Sequence, residues 1–205
     1  MDKKILCLSM CLFAGSLVFA ADSNKSAPAD KEKPSLAEQV LKVVISGKYR
    51  KDYDKFQKVP LEKMPEVCRE DCISEKELYG ADSKASTTSI DLDSDGSAEM
   101  IVTYRSYWGN GGTRYDILTK RDGKWIKSDE FYAVFWQPLK INGRIGLFLD
   151  NKCGWKQRTY SFCEFKNGKL VPVVTIELER HHNQKDHRLS IQVFSADEAD
   201  FNYLF

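Results

Sequence analysis

The sequence predicts an α+β fold in which a short N-terminal helical part packs on an antiparallel β-meander. A capping box at Ser35 opens one amphipathic stretch, as is typical of a helix that covers a core. From Ile90 onward, β-branched and aromatic runs alternate with short turns that contain glycine. The 205 residues suffice for one domain with a sizeable core, which we place at residues 35–205.

The first twenty residues have the pattern of a secretory signal peptide. Lys3 and Lys4 precede an apolar stretch, residues 5–19, that is too short to span a bilayer comfortably. Small residues at the positions read by signal peptidase predict cleavage after Ala20. A lipoprotein box ending at Cys11 is the less favoured alternative, because the apolar stretch continues past it. We therefore expect a periplasmic or secreted protein.

The mature chain has a balanced charge. Without residues 1–20, the 31 basic and 30 acidic side chains become 31 − 2 = 29 and 30 − 1 = 29. Such a balance gives no electrostatic argument for nucleic acid or for an anionic membrane as the partner. No second long apolar run follows, so we expect no transmembrane segment. Residues 21–34 are small, charged and proline-bearing, and they predict a disordered leader.

Two helices are predicted before the strands. Ser35 and Glu38 form the capping box of the first, and Gly47 ends it. Pro65 opens a second, short helix that carries Cys68 and Cys72.

Two further features lie between these helices and the first predicted strand. Ser74 and Glu77 form a weaker capping box. Residues 81–89 are polar and are interpreted as a connector.

The second half of the chain predicts about seven strands. Turn signals lie at residues 109–112, 121–124, 142–143 and 167–168, where asparagine, aspartate and glycine tolerate positive φ. The tail, Ala199–Phe205, is left open between a helix and a final strand. The predicted strands are Met100–Trp108, Thr113–Lys120, Lys124–Trp136, Arg144–Asp150, Gln157–Phe165, Leu170–Glu179 and Leu189–Phe194.

An acidic loop precedes the first of these strands. Aspartates alternate with other residues, glycine permits a sharp turn, and a glutamate follows, so several oxygens can surround one centre. Ca²⁺ prefers six to eight oxygen ligands in flexible geometry, whereas the alternative is a solvated turn. Val102 occupies the twelfth position of the loop, where an EF-hand requires a carboxylate. The candidate ligands are Asp91, Asp93, Asp95, Ser97 through its main chain, and Glu99.

This loop resembles the D-x-D-x-D-G-x-x-[DE] loop of FG-GAP and related integrin-type repeats over residues 90–104. The resemblance implies a calcium ion held by the five positions named above, in a loop that joins two β-strands. Those families build propellers from several copies of the loop. The sequence contains one copy, so we do not expect a propeller.

A glycine-rich tip follows the same strand and carries aromatic and arginine side chains. Such groups at a loop are typical of a surface that recognises a protein or a glycan. Pairing of the aromatic side chains across the hairpin, as part of the core, is the favoured alternative. The residues concerned are Arg105, Tyr107, Trp108, Arg114 and Tyr115.

Four cysteines remain after the signal peptide, and in an exported protein they predict two disulfides with three possible connectivities. Cys153 and Cys163 flank a plausible hairpin, so their bond is preferred, and Cys68 with Cys72 follows by elimination. A bond within an ideal helix would be strained at that spacing. A zinc site of four thiolates is the alternative, and the export signal disfavours it.

Three histidines, His181, His182 and His187, lie near one turn. They could bind a transition metal, but a solvated turn is the favoured interpretation because no fourth ligand is evident.

No motif of a catalytic site is present in the sequence. We therefore expect a non-enzymatic, calcium-binding exported protein with a protein partner in the envelope, of the inhibitor or immunity type. The alternative is an envelope hydrolase acting on a cell-wall or glycan substrate.

Overall fold

The structure is a computed structural model and describes residues 33–47, 55–154, 156–183, 186–196 and 201–204. The predicted signal peptide, and the leader up to residue 32, lie outside the described residues. Within them, no helix is long and apolar enough to cross a membrane.

Two α-helices precede or interrupt the strands. The first, α1, spans Leu36–Ser46, and the second, α2, spans Arg69–Tyr79. Short 3-10 helices occupy Leu61–Lys63, Glu66–Cys68 and Arg105–Tyr107.

Twelve strands are described, numbered in chain order. They are β1 Gln57–Pro60, β2 Lys84–Ile90, β3 Glu99–Thr103, β4 Trp108–Gly109, β5 Gly112–Arg121, β6 Lys124–Ala133, β7 Phe135–Ile141, β8 Arg144–Lys152, β9 Gln157–Lys166, β10 Lys169–Asn183, β11 Asp186–Ser195 and β12 Phe201–Leu204.

These strands form two antiparallel six-stranded sheets. In the first sheet the order is β1-β2-β3-β5-β4, with β6 also paired to β5. The second sheet is an uninterrupted meander from β7 to β12. The predicted α+β class with an antiparallel meander is confirmed, although the strands divide between two sheets.

Three clusters of buried side chains define the layers. The cluster between the sheets joins Leu92, Ile101 and Ile117 of the first sheet region to Leu147 and Phe165 of the second. A second cluster packs α1 on the outer face of the β7–β12 sheet. A third packs the segment around α2 on the outer face of the β1–β6 sheet. The sheets therefore lie face to face with one helix outside each.

Local sequence signals explain α1 and the tight turns. The side-chain oxygen of Ser35 accepts from the N–H of Glu38, the Glu38 carboxylate accepts from the N–H of Ser35, and Gly47 ends the helix with φ 61°. This is the predicted capping box. In the turns at 122–123, 142–143 and 167–168, both central residues have positive φ, as type I′ hairpin turns require. The turn between Gly109 and Gly112 lacks the predicted positive φ at its two central residues, and Gly112 has it instead.

Several sequence predictions are wrong in detail. Residues 81–89 are not a connector, because most of them belong to β2, whose serine and threonine side chains are largely buried. Ser74 lies in the middle of α2 and does not cap a helix. The predicted strand Met100–Trp108 is interrupted by the 3-10 helix Arg105–Tyr107.

The predicted strand Lys124–Trp136 divides into β6 and β7, which belong to different sheets. Its two parts therefore join the sheets at one edge. The tail, which the sequence left open, contains strand β12.

Candidate functional site

The acidic loop connects two paired strands. Ile90, at the end of β2, lies opposite Glu99, at the start of β3, so residues 91–98 form the hairpin loop between them. Leu92 is 2% exposed and belongs to the cluster between the sheets. Ser94 and Gly96 take positive φ of 64° and 89°, which turns the chain back toward β3. The loop is thus anchored in the interior by one apolar side chain.

Main-chain N–H groups hold each acidic side chain of the loop by one oxygen. The N–H of Leu92 donates to Glu99 Oε2 at 2.9 Å, and that of Gly96 donates to Asp91 Oδ2 at 3.2 Å. The N–H of Asp95 donates to Asp93 Oδ1 at 3.3 Å. These bonds therefore orient the carboxylates through the backbone of the loop itself.

Three carboxylates converge in this loop. One oxygen from each of Asp91, Asp93 and Glu99 lies within 4.8 Å of the others. The Oδ1 atom of Asp91 is buried and has no hydrogen-bond partner among the described residues. Burial raises the pKa of the Glu99 carboxyl, the Leu92 N–H opposes this, and the charges of Asp93 and Asp95 raise it further. A cation at this point would relieve both the repulsion and the unmatched oxygen.

Two predicted ligands are not part of this group of three. The side chain of Asp95 accepts from the N–H of Ser97 at 2.7 Å, which forms a local turn. Asp95 is absent from the three carboxylates that converge. The role of the Ser97 main chain stays a prediction.

The predicted recognition residues fall into different environments. Trp108 is 67% exposed, and the Arg105 guanidinium lies 4.5 Å from the centre of the Tyr79 ring. Tyr115, by contrast, stacks on Phe131 with ring centroids 5.0 Å apart and packs against the cluster between the sheets. Assigning Tyr115 to a recognition surface is therefore wrong, and its position fits the packing alternative.

Tyr107 and Arg114 belong to an ionic cluster that the sequence did not predict. Its centre is Asp116, 3% exposed, whose Oδ2 accepts from the Tyr107 hydroxyl at 3.0 Å. The other oxygen, Oδ1, lies 2.9 Å from Lys127 Nζ and 3.4 Å from Arg114 Nε. These contacts are ion pairs without hydrogen-bond geometry. Arg114 also pairs with Asp71 of α2 at 3.2 Å.

This ionic cluster joins α2 to β5 and β6 under the glycine-rich tip. It has one recognisable signal in the sequence, the alternation of charged residues in the strand Thr113–Lys120. Residues from distant parts of the chain complete it.

A buried glutamate of α2 holds the same tip in place. Glu75 is 1% exposed, and its two oxygens accept from the N–H of Arg105 at 3.1 Å and of Ser106 at 2.9 Å. It thereby satisfies two N–H groups at the start of the 3-10 helix Arg105–Tyr107. No local pattern in the sequence indicates this role, because Glu75 lies thirty positions before Arg105.

The four described cysteines are free thiols. The predicted Cys153–Cys163 bond is wrong, because the N–H of Cys153 donates to Gln157, at the start of β9, while Cys163 lies six residues further along the strand. At about 3.3 Å per residue, that separation is roughly 20 Å, far beyond disulfide reach. Cys163 is buried between the sheets, and Cys153 is exposed.

The predicted Cys68–Cys72 bond is also absent. Cys68 lies at the N-cap of α2 and Cys72 in its first turn. The Cys72 Sγ lies 3.7 Å from the Tyr104 hydroxyl, and Cys68 packs in the same buried cluster as Tyr104.

The histidine cluster falls in the hairpin of β10 and β11, where His182 lies opposite His187. The side chains of these residues lie outside the described part of the structure, so metal binding there stays untested.

Comparisons with known proteins returned no matching family model, no matching curated protein and no matching solved structure.

Proposed function

We propose that this chain is an exported, non-enzymatic calcium-binding protein in which Ca²⁺ stabilises the β2–β3 hairpin and the tip around Trp108 contacts a protein partner. The convergence of three carboxylates, with the buried Asp91 Oδ1 left unmatched, is the observation that carries the calcium assignment. The alternating positions of the ligands give an oxygen-only site, which is the donor set that Ca²⁺ prefers.

A structural role for the ion follows from where the loop is anchored. Leu92 packs between the sheets and Glu99 begins β3, so an ion held between Asp91 and Glu99 connects the ends of two neighbouring strands. The ion would therefore stabilise the sheet rather than activate a reacting group.

A thermal-unfolding series tests the calcium assignment. We expect the protein in EDTA to unfold at a lower temperature than in millimolar Ca²⁺, since a ligand at one hundred times its Kd adds about 2.7 kcal/mol. Asp93→Asn should remove most of this shift, because it removes one of the three converging carboxylates. Asp93 is exposed, so the change should not disturb packing. Asp82→Asn is the matched control. Asp82 is an exposed aspartate just before β2, at the end of that strand opposite to the acidic loop.

Equal shifts for Asp93→Asn and Asp82→Asn would contradict the site. No shift in the wild-type chain would contradict calcium binding altogether.

An exposed aromatic side chain next to a fixed main chain supports the partner assignment. Trp108 is 67% exposed, and Glu75 accepts from the main-chain N–H groups of Arg105 and Ser106 just before it. An ordered main chain lowers the entropy that is lost on binding, and aromatic side chains often dominate an interface.

Capture experiments from envelope extract test this assignment with Trp108→Ala and with Phe194→Ala. Phe194 is an aromatic residue, 39% exposed, on the other sheet. A partner retained by Phe194→Ala and lost by Trp108→Ala is the expected result. Retention by both variants would refute the role of Trp108.

A further inference from the structure

Two thiols and two thioethers belong to one buried cluster beside α2. Cys68 is 4% exposed and Cys72 is half-buried, and both lie in the cluster on the outer face of the β1–β6 sheet. Tyr104, 1% exposed, has its hydroxyl 3.7 Å from the Cys72 Sγ. Met64 and Met100 pack against the same cluster. This concentration of sulfur is unrelated to the acidic loop and to the tip around Trp108.

The spacing of the two cysteines suits a bridging cation better than a disulfide. Residues one helical turn apart have Cβ atoms about 5 to 6 Å apart, whereas a disulfide needs about 3.8 Å. Forming the bond would therefore distort the start of α2. A cation that binds two thiolates at about 2.3 Å each needs sulfurs only about 4.5 Å apart, which side-chain rotation can provide.

The donor set selects the class of cation. Thiolate and thioether ligands favour soft metals and Cu(I) above all, whereas Ca²⁺ and Mg²⁺ require oxygen. Among the described residues no histidine or carboxylate joins the two cysteines in a group of three metal-binding side chains, which disfavours the four-coordinate site that Zn²⁺ adopts.

From this arrangement we infer that Cys68 and Cys72 form a binding site for Cu(I), with Met64 and Met100 as neighbouring thioether donors. Binding replaces two S–H bonds by two Cu–S bonds and releases two protons to solvent, and the oxidation state of copper and sulfur does not change. The Tyr104 hydroxyl, which lies 3.7 Å from the Cys72 Sγ, then donates to that thiolate and acts as a positioning residue.

Competition with a chromogenic Cu(I) chelator, bicinchoninate, tests the inference on the full chain under reducing, anaerobic conditions. We expect one Cu(I) per chain. Cys72→Ser should weaken binding by at least a hundredfold, because even the loss of an outer-shell partner costs ten- to a hundredfold. Met64→Leu with Met100→Leu should weaken it by a smaller factor. Cys153→Ser is the matched control and should leave it unchanged, since Cys153 is exposed and distant in the fold.

A second measurement keeps the inference falsifiable if Cys72→Ser folds poorly. In the wild-type chain, bound Cu(I) should protect two of the four described cysteines from alkylation during unfolding, and the protected pair should be Cys68 and Cys72. Absence of stoichiometric Cu(I) binding, protection of other cysteines, or tighter binding of Zn²⁺ than of Cu(I) would overturn the assignment.

Discussion

Replacement of Glu75 by alanine should be among the most destabilising single changes on α2. Its carboxylate accepts two main-chain hydrogen bonds, from Arg105 and Ser106, in a position 1% exposed to solvent. Each charge-assisted hydrogen bond contributes about 1.5 to 3 kcal/mol, and each N–H left buried without a partner costs about 1 to 3 kcal/mol. Because water can enter part of the space, we expect a loss of about 3 to 5 kcal/mol in the free energy of unfolding.

Urea denaturation followed by Trp fluorescence measures this loss, and Glu77→Ala is the control, since Glu77 is an exposed glutamate on the same helix. Glu77→Ala should change the free energy of unfolding by less than about 0.5 kcal/mol. Glu75→Gln should fall between the two variants, because its amide oxygen can accept one hydrogen bond while its NH₂ group faces a second donor. A Glu75→Ala variant as stable as Glu77→Ala would refute the argument that this carboxylate holds the tip.

Three further outcomes are expected. The raised pKa of Glu99 means that the metal-free native state binds more protons than the unfolded chain, so the Glu99 contribution to stability should fall as pH rises above its ordinary value of 4.5. Glu99→Gln should flatten that part of the pH–stability curve measured in EDTA, and an unchanged curve would contradict the assignment. Alkylation of the native protein at pH 8 should label Cys153 first and the three less exposed cysteines only on unfolding. Mass spectrometry of the peptides measures the order of labelling, and early labelling of the buried cysteines would contradict their burial. Gly146→Ala should destabilise the protein by about 1 to 3 kcal/mol or more, because its Cβ would lie 2.8 Å from a Phe162 ring atom and closer still to a main-chain oxygen. The control is Gly109→Ala, whose Cβ would meet only an ordinary contact at 3.7 Å. Equal denaturation midpoints for the two variants would refute this expectation.

Elements specified by neighbouring residues were predicted well. The capping box of α1 and the turns at 122–123, 142–143 and 167–168 are decided within four positions of the chain, and these were found as expected. The acidic loop is equally local, and it does connect two strands.

Strand β2 was missed because its buried positions are occupied by alanine, serine and threonine rather than by large apolar residues. Threonine is compatible with strands, but a polar run between two glycine- or aspartate-containing stretches also fits a connector. Burial of such small polar side chains depends on neighbours, here β1 and β3, that the local sequence does not reveal.

The sequence did not reveal the cysteine environments or the ionic cluster, because separation along the chain does not report distance in the fold. Cys153 and Cys163 are close along the chain, yet they lie at different positions along β9 and its approach. Asp116 gains its partners from the 3-10 helix, β5 and β6, and the cluster extends to α2 through Arg114. The short sequence separation of the two cysteines suggested a bond that the fold does not allow. The long separations within the ionic cluster hid its contacts.

The segment between β3 and β4 leaves the sheet, so its residues take no part in the pairing that sets the register. Both strands pair with β5, so the ladder stops at Val102, opposite Asp116, and resumes at Trp108, opposite Thr113. The pairing on either side fixes the strands, so the exposed Arg105 can change identity without shifting them, whereas Tyr104 and Tyr107 stay tied to the buried cluster and to Asp116. Variation at this end of the sheet therefore leaves its register unchanged only at the exposed positions of the segment.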